Sequence, residues 1–588
     1  MDARGHVEPH AARADDEPPP RARRGHEGRA DRRRQEGRLP GDQQELVDRR
    51  QAAELPVRDA DRLGDPRRQA RPDAPGRDVH RDHARLLGLA RRRRGAGGVG
   101  AARRDELRQR AAGAGSARLA RHVARTVPRR AGRNQVVSAL PVAQDAIDAA
   151  AGDEAEAVVL TERSGLARFA GREVHQPTLI DNVVVTLRVV RDGKVGIAAT
   201  NRVEPDGLRE LARRAGQAAD SSVATPGFPG LAPPADPPDV QGWDEETAAL
   251  GPDEQAHRAA AAIAATTTGV YGFFTSGETE LAIASTAGVR TSQSMTDATT
   301  IVVAADRGCS GYAEASSWRA RSLDPAAVAR EAAEKASRTN GAAAADPARY
   351  RAVLEPYAIG TLLEYFGFDS FGAQALLEER SYFSGRIGQR AFDEKVTIVD
   401  DALDPRGLPK AFDFEGMPKQ RVPLVEDGVI RGVVWDRATA ARASNGAHST
   451  GHAPPASLLA HGPFPAALQM TGGDAESIEE LAELVGDGIY VTRLHYLSVV
   501  DPREGVITGM TRDGTFRIRG GKVAEPLVNL RFTVSVPELL ADVPGLTRDL
   551  TLVNGSDFYG ERYPFGALVP ALATASFNVT GSGSRPGL

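Results

Sequence analysis

The chain is poor in cysteine, in long apolar runs and, over its first 135 residues, in lysine and aromatic side chains. Its single cysteine, Cys309, cannot form an internal disulfide, which favours a reducing compartment, the cytoplasm. No stretch of about 18 consecutive apolar residues occurs, so we expect no membrane-spanning helix. These absences exclude a disulfide-stapled secreted domain and an integral membrane protein built from helices.

The first 135 residues differ in composition from the rest of the chain. They contain 34 Arg, no Lys and 20 acidic residues, a net charge of +14, whereas residues 136–588 carry −18. A tract without aromatic side chains buries too little apolar surface to offset its conformational entropy, so we predict that it is disordered. The −18 of the remainder argues against direct binding to nucleic acid or to an anionic membrane surface.

Three interpretations of the tract 1–135 stay open. An Arg-rich arm can bind nucleic acid through its phosphates. A targeting leader is the second, although the tract lacks the apolar core of a signal peptide. The third is a mis-assigned start, with the true start of the protein near Val136 or Val137. A composition rich in Arg, Ala, Gly and Pro but without Lys is what GC-rich DNA encodes in a reading frame that is not selected for protein. Peptide mapping of the native N-terminus distinguishes the three.

Residues beyond 135 predict an α+β protein. An Ala-rich helical segment, alternating strands and a hairpin signal predict a helix-flanked antiparallel sheet domain over 136–221. Six prolines mark a linker at 222–242, and helical and strand signals predict a middle α+β unit at 243–345. Many short strands with glycine corners predict a mostly-β, barrel-like C-terminal domain over 346–588.

The segment 362–368 follows an apolar, strand-like run and contains one acidic residue, Glu364. Apolar residues recur there at i, i+3, i+4 and i+7, namely Ile359, Leu362, Leu363 and Phe366. This spacing is typical of the buried face of a helix. A buried amphipathic helix and a catalytic role for Glu364 are the two interpretations.

Five short phrases stand in order along the chain: Arg168-Phe169-Ala170, Glu173-Val174-His175-Gln176, Asp192-Gly193-Lys194-Val195-Gly196, Phe412 to Pro418 and Asp501 to Gly505. Together with the segment 362–368 they resemble the TldD/PmbA family of bacterial peptidases. The resemblance covers about residues 150–580. It implies the non-catalytic, PmbA/TldE-like type of chain.

The catalytic subunits of that family carry the motif HExxxH at the position of residues 363–368 and use a C-terminal cysteine as a third zinc ligand. Here the two histidine positions are Leu363 and Phe368, only Glu364 is kept, and the region 559–566 has no cysteine. Hydrocarbon side chains donate no electron pair to zinc, and Glu364 without a metal has no acidified water to deprotonate. The resemblance thus implies a degenerate motif, no catalytic residue and no cofactor in this chain.

A segment with two glycines, residues 383–389, follows the degenerate motif. Its spacing predicts a tight loop or bulge, and no Lys-Ser/Thr pair follows it, so a phosphate-binding loop is not expected. We predict that it contacts peptide or a partner subunit. The candidate residues are Phe383, Gly385, Arg386 and Gly388.

Two further pairs of polar residues are candidate sites. His448 and His452 have the i, i+4 spacing of two zinc ligands on a helix. Flanking glycine and proline predict a loop instead, with both histidines exposed to solvent and a metal role only as the weaker alternative. Asp413 and Glu415 are interpreted as turn residues, since no second carboxylate is spaced to work with them.

The resemblance implies a function shared between two chains. This chain would pair with a zinc-bearing TldD-like homologue, which cleaves unfolded or flexible peptide at its own metal in a cavity that both chains enclose. This chain would supply interface and peptide-holding surface, where strand edges can bind extended peptide. Two alternatives stay open: a self-sufficient peptidase that uses another centre, and a stand-alone peptide-binding homodimer.

Overall fold

A computed structural model of the chain describes residues 138–150, 153–225, 227–556 and 561–583. The Arg-rich tract 1–135, with its predicted disorder and alternative start, lies outside the described residues. Among those that are described, no helix is both long and apolar enough to cross a membrane.

Ten α-helices occur in the described residues. They are α1 Ala139–Ala149, α2 Pro205–Ser221, α3 Glu245–Ala248, α4 Pro252–Ala264, α5 Pro325–Arg338, α6 Pro356–Ser370, α7 Ala373–Leu377, α8 Arg437–Arg442, α9 Ile478–Val485 and α10 Val536–Leu539. Two 3₁₀-helices cover Ala320–Ser322 and Ala456–His461. Four of the α-helices (α2, α4, α5 and α6) begin with proline, whose fixed φ suits the first helical turn and whose missing N–H leaves no donor unsatisfied there.

Nineteen strands occur in the same residues. They are β1 Glu154–Ala170, β2 Glu173–Arg191, β3 Lys194–Thr200, β4 Gly269–Ser285, β5 Arg290–Asp306, β6 Cys309–Ser317, β7 Ala348–Leu354, β8 Ile398–Asp400, β9 Val422–Glu426, β10 Val429–Ile430, β11 Ala467–Met470, β12 Gly488–Asp501, β13 Val506–Arg519, β14 Lys522–Pro526, β15 Leu530–Ser535, β16 Gly545–Leu546, β17 Thr551–Asn554, β18 Gly566–Val569 and β19 Leu572–Ser582.

The first six strands form one antiparallel sheet in the order β3-β2-β1-β4-β5-β6. The predicted first domain and the predicted middle unit therefore contribute three strands each to a shared sheet, joined through β1 and β4. The domain boundaries themselves stay a prediction. Helices α1 and α2 pack on one half of the sheet and α4 and α5 on the other half.

The two faces of this sheet follow from the alternation of side chains along its strands. Ala155, Ala157 and Val159 of β1 point to the helices and join a core with Leu187 of β2. The intervening residues point to the opposite face. There Leu160 packs against Phe414 of the C-terminal domain, so one sheet supports helices on one side and the C-terminal domain on the other.

The C-terminal domain contains a closed barrel of five strands, β12-β7-β19-β15-β13, which closes because β13 also pairs with β12. A second sheet has the order β10-β9-β8-β11-β18-β17. Helix α6 packs against both the barrel strand β12 and strands β17 and β18 of this second sheet. The predicted α+β class and the barrel-like C-terminal domain are confirmed.

Candidate functional site

Helix α6 carries the segment 362–368 into the main core of the C-terminal domain. Leu362 and Leu363 are each 1% exposed and Phe366 is 2% exposed. The Phe366 ring meets Phe371 edge-on at a centroid distance of 5.2 Å, within a cluster of aromatic rings. Such contacts add to the stabilisation from apolar burial, and the prediction of a buried helix is confirmed.

The two positions at which the resemblance locates histidine ligands do not fit a metal ion. Leu363 is packed in hydrocarbon, and the half-buried Phe368 lies against His461 and Phe464 at centroid distances of 5.2 and 6.3 Å. Neither side chain carries a donor atom. Glu364 is half-buried on the same helix. In the described residues no group of three His, Cys, Asp or Glu side chains is arranged to hold a metal.

The expectation that both loop histidines are exposed was wrong for one of them. His448 is exposed, whereas His452 is 1% exposed. Its Nε2 lies 2.7 Å from Asp400 Oδ1 and its Nδ1 2.9 Å from Thr450 Oγ1, so both ring nitrogens are engaged within the protein. Burial and the nearby Lys419 lower the pKa of His452 and outweigh the opposing effect of Asp400, so the neutral ring is favoured.

The segment 383–388 forms successive turns. Phe383 is fully buried among aromatic rings, so its side chain is not available for the predicted contacts. Gly385 and Gly388 have positive φ values of 73° and 84°. Arg386 stacks on Tyr382 at 4.3 Å and reaches Glu504 at 3.4 Å. A contact role for Arg386 and the two glycines stays a prediction.

A cleft of about 420 Å³ lies on the face of the first sheet that is turned away from the helices. We call it the β1–β3 cleft. Its floor consists of residues that sit opposite one another in the strand register: Glu156 and Arg188, Val158 and Thr186, Leu160 and Val184, with Ile197 and Ala199 of β3 beside them. The period of two along each strand therefore sets the lining of this floor.

Loops of the C-terminal part of the chain form the roof of the β1–β3 cleft. They contribute Phe414, Pro454, Pro455, Ala456, Ser457 and Glu561. The residue after Glu561, Arg562, is 2% exposed and pairs with Asp297 of β5 at 2.7 Å, which holds this part of the roof on the sheet. The volume falls in the range of small-ligand sites, about 300–1,000 Å³.

Three charged side chains meet where the floor and the roof join. Arg188 Nη1 lies 3.3 Å from Glu156 Oε1 and 3.2 Å from Glu415 Oε1. Glu156 is 2% exposed and Glu415 is 7% exposed. Burial raises the pKa of Glu156, Arg188 opposes the rise and Glu415 adds to it. Burial alone would lower the pKa of Arg188, but the two carboxylates raise it.

Asp413 fixes the loop that carries Glu415. Its Oδ1 accepts from the backbone N–H groups of Glu415 and Met417, each at 2.9 Å, and its Oδ2 accepts from Ala453 at 2.8 Å. Burial and Glu415 raise the pKa of Asp413 to about 7. The interpretation of Asp413 as a turn residue is confirmed.

Glu415 lies in the same turn, but the expectation that no second carboxylate accompanies it was wrong. A second carboxylate does accompany it, but that carboxylate is Glu156, which comes from a strand far away in sequence. The sequence contained one signal that could have found this pair. Arg188 interrupts the largely apolar run 183–190, and a charge in such a run needs a partner.

Two family models match this chain. "PmbA/TldA metallopeptidase domain 1" matches residues 155–219, and "PmbA/TldA metallopeptidase C-terminal domain" matches residues 347–581. Together they span half of the chain. The chain belongs to the TldD/PmbA family. The β1–β3 cleft lies between the two matched regions of this TldD/PmbA fold, since the floor comes from the first and the roof from the second.

Curated relatives match smaller parts of the chain. A "Metalloprotease" of Methanothermobacter thermautotrophicus is 28% identical over 233 residues, which is 39% of this chain and 49% of the relative. A "Metalloprotease TldD homolog" of Haemophilus influenzae is 28% identical over 211 residues, 35% of this chain and 42% of the relative. The chain thus spans about half, or less, of the length of these relatives.

Solved structures of the family share the fold over a longer range. TldE from Thermococcus kodakarensis aligns with a TM-score of 0.66 and 19% identity, covering 75% of this chain and 99% of its own. A "putative modulator of a DNA gyrase" from Thermotoga maritima aligns with a TM-score of 0.64 and 18% identity, covering 74% and 100%. At these identities the likeness is one of fold.

Proposed function

We propose that this chain is the zinc-free subunit of a two-chain peptidase. A zinc-bearing TldD-like homologue would supply the metal, and the two chains together would degrade or process unfolded peptide. The observation that carries the proposal is the chemistry of helix α6. Leu363 and Phe368, at the two ligand positions, are hydrocarbon, and Leu363 is packed into the core at 1% exposure.

Two further observations support a non-catalytic role. The region that would hold a third ligand, residues 559–566, contains no cysteine. Both nitrogens of His452 are hydrogen-bonded to Asp400 and Thr450, so the alternative pair of His448 and His452 has one ring that is already engaged. A zinc site needs three or four free N, S or O donors. These observations favour the partner subunit over a self-sufficient peptidase.

The proposal is tested by reconstitution. This chain and a zinc-bearing homologue from the same organism are purified separately and together, and zinc is measured on each. Casein-like, unfolded substrate is then offered to each chain and to the mixture. We expect less than a tenth of an equivalent of zinc on this chain, no hydrolysis by it alone, and a complex that cleaves substrate more than tenfold faster than the homologue alone.

Other outcomes separate the alternatives. Equal cleavage by the homologue with and without this chain would contradict the partner role. Chelator-sensitive hydrolysis by this chain alone would favour a self-sufficient peptidase. A homodimer that binds peptide, ignores the homologue and hydrolyses nothing would favour the stand-alone peptide-binding protein. The cytoplasmic location inferred from the single cysteine stays a prediction.

A further inference from the structure

Two buried carboxylate oxygens beside the β1–β3 cleft have no hydrogen-bond partner among the residues that the structure describes. They are Oε2 of Glu156, which lines the cleft, and Oε2 of Glu415, which adjoins the cleft through its contact with Arg188. A buried acceptor that is left unpaired costs free energy, about 1–3 kcal/mol and more when it is charged. A ligand with N–H groups would supply donors to such atoms.

Charge at this point of the cleft is also unbalanced. One guanidinium, Arg188, faces two carboxylates within 3.3 Å. Two further charges lie near this group: Asp436 raises the pKa of Arg188, and Arg437 lowers the pKa of Glu156. Because their charges are opposite, they add no net charge. Asp413 adds a further carboxyl beside Glu415. With Glu156 and Glu415 both ionised, a ligand that brings one positive charge would balance Arg188 and its two carboxyl partners.

The remaining lining of the cleft is apolar except for Arg214, Glu561, Thr186 and Ser457. Val158, Leu160 and Val184 form the floor next to the charged group, and Phe414 and Pro454 cover them. A bare metal ion suits neither these walls nor the adjacent guanidinium, which would repel it. An organic cation attached to a hydrocarbon chain suits both, because its N–H groups can meet the carboxylates while its chain meets the apolar walls.

We propose that the β1–β3 cleft binds the cationic nitrogen of an apolar peptide, with Glu156 and Glu415 as the acceptors. Both a lysine side chain and a free amino terminus supply this chemistry. The cleft would thereby make this chain prefer apolar peptides that carry such a nitrogen over those that lack it. The inference rests on the proposed peptide-holding role and adds the class of peptide that is held.

The experiment measures peptide binding to the full chain alone, without a second subunit, by titration calorimetry. Three five-residue peptides of alanine and valine differ at one point each. The first peptide is capped at both ends and carries a central lysine. The second is also capped at both ends but has norleucine in place of the lysine. The third has the same central norleucine and a free amino terminus. We expect the capped norleucine peptide to bind at least tenfold more weakly than whichever cationic peptide fits the cleft, since a hydrogen bond to a buried charge contributes this much or more.

Variants locate the binding. Glu156→Gln and Glu415→Gln keep the size of each side chain and remove its charge, and each should weaken the cationic peptide at least tenfold. Glu154→Gln is the matched control, because Glu154 lies two residues away on the same face of β1 but is exposed and does not line the cleft. It should leave binding unchanged.

Ala199→Trp provides a test that does not touch the charged group. Ala199 is exposed on β3 and lines the cleft, and a tryptophan there suits a strand while it fills the space. It should abolish binding in a protein that still unfolds cooperatively. This variant keeps the proposal testable if either glutamine variant fails to fold.

Each outcome decides the proposal. Tighter binding of the lysine peptide assigns the side-chain amine, and tighter binding of the uncapped peptide assigns the terminal amine. Equal affinity for all three peptides, or affinity that Glu156→Gln and Ala199→Trp both leave unchanged, would overturn the proposal. Because no second chain is present, either result is independent of whether reconstitution of the peptidase succeeds.

Discussion

Helix α6 and the β1–β3 cleft show two opposite ways of filling the interior of one chain. Around α6 the positions of a family metal motif are occupied by leucine and phenylalanine, and neighbouring rings pack edge-on or tilted at centroid distances near 5 Å. At the cleft, Glu156, Arg188 and Glu415 meet at low exposure, and two carboxylate oxygens have no hydrogen-bond partner among the described residues. The first region is filled mainly with hydrocarbon, whereas the second is a buried cluster of ionisable groups.

This difference indicates where the chain can still interact. A packed hydrocarbon core is stabilised by the close fit of its side chains and offers a ligand neither space nor polar groups. A buried polar group whose partners are incomplete is costly unless something else completes it. Within the described residues, recognition is therefore expected at the cleft, and α6 is expected to serve stability.

The largest effect is expected from truncation in the α6 core. Phe366→Ala should lower the free energy of unfolding by about 3–5 kcal/mol, because it removes a buried ring and leaves a cavity. Chemical denaturation measures this loss. Phe368→Ala is the comparison, since Phe368 is only half-buried, and should cost less. Equal losses at the two positions would mean that the core is not centred on the Phe366 face.

Removal of the cation at the cleft should have the next largest effect. Arg188→Gln leaves two buried carboxylates without their counter-charge, which should cost about 3 kcal/mol at neutral pH. Since burial raises the pKa of Glu156, its protonation should recover part of the loss as the pH falls. The triple variant with Glu156→Gln and Glu415→Gln should also recover stability. If it is as unstable as Arg188→Gln, the loss is not electrostatic.

A pH dependence is expected from His452. Its pKa is lower in the folded chain than in the unfolded chain, so the unfolded chain binds the proton more readily. Its contribution to stability is full above an unfolded pKa of about 6.5 and decreases as the pH falls below that value. Unfolding of wild type and His452→Asn between pH 8 and 5 should show the loss in wild type only. His448→Asn, at an exposed position, should behave like wild type.

The smallest effect on stability is expected at Arg386. Its pairing with Glu504 at 3.4 Å is partly exposed to solvent, so Arg386→Ala should change the free energy of unfolding by less than about 1 kcal/mol. If this segment contacts the zinc-bearing homologue, complex formation should weaken by more than that. Arg390→Ala is the control, since Arg390 is exposed and its side chain donates to the backbone carbonyl of Asp427 rather than pairing with an acidic side chain. Equal weakening by both variants would speak against a specific contact.

Some of the site could be predicted from the sequence because the signal was local. The apolar spacing of Ile359, Leu362, Leu363 and Phe366 sufficed to predict α6 and its buried face. The Asp413 turn was likewise predictable, because its hydrogen bonds span four residues at most within the turn. Local geometry fixes what such residues can reach.

The burial of His452 and the meeting of Glu415 with Glu156 could not be predicted in this way. His452 is in a loop whose glycine and proline residues indicated exposure, yet its partner Asp400 is a strand residue 52 positions earlier. Glu156 and Glu415 are brought together only because the roof loops lie on the sheet. A contact between such distant segments leaves no periodic pattern in the sequence.

By itself the sequence determined the α+β class, the buried helical face at residues 359–366 and the loss of both donor side chains at positions 363 and 368, since each depends on residue chemistry or on spacing within a few turns. Only the tertiary structure decided that the first six strands form one sheet and that Arg188 lies between two carboxylates. The physical reason is that strand pairing and buried charge pairing join segments that are distant along the chain, and their energies depend on distance in space rather than in sequence.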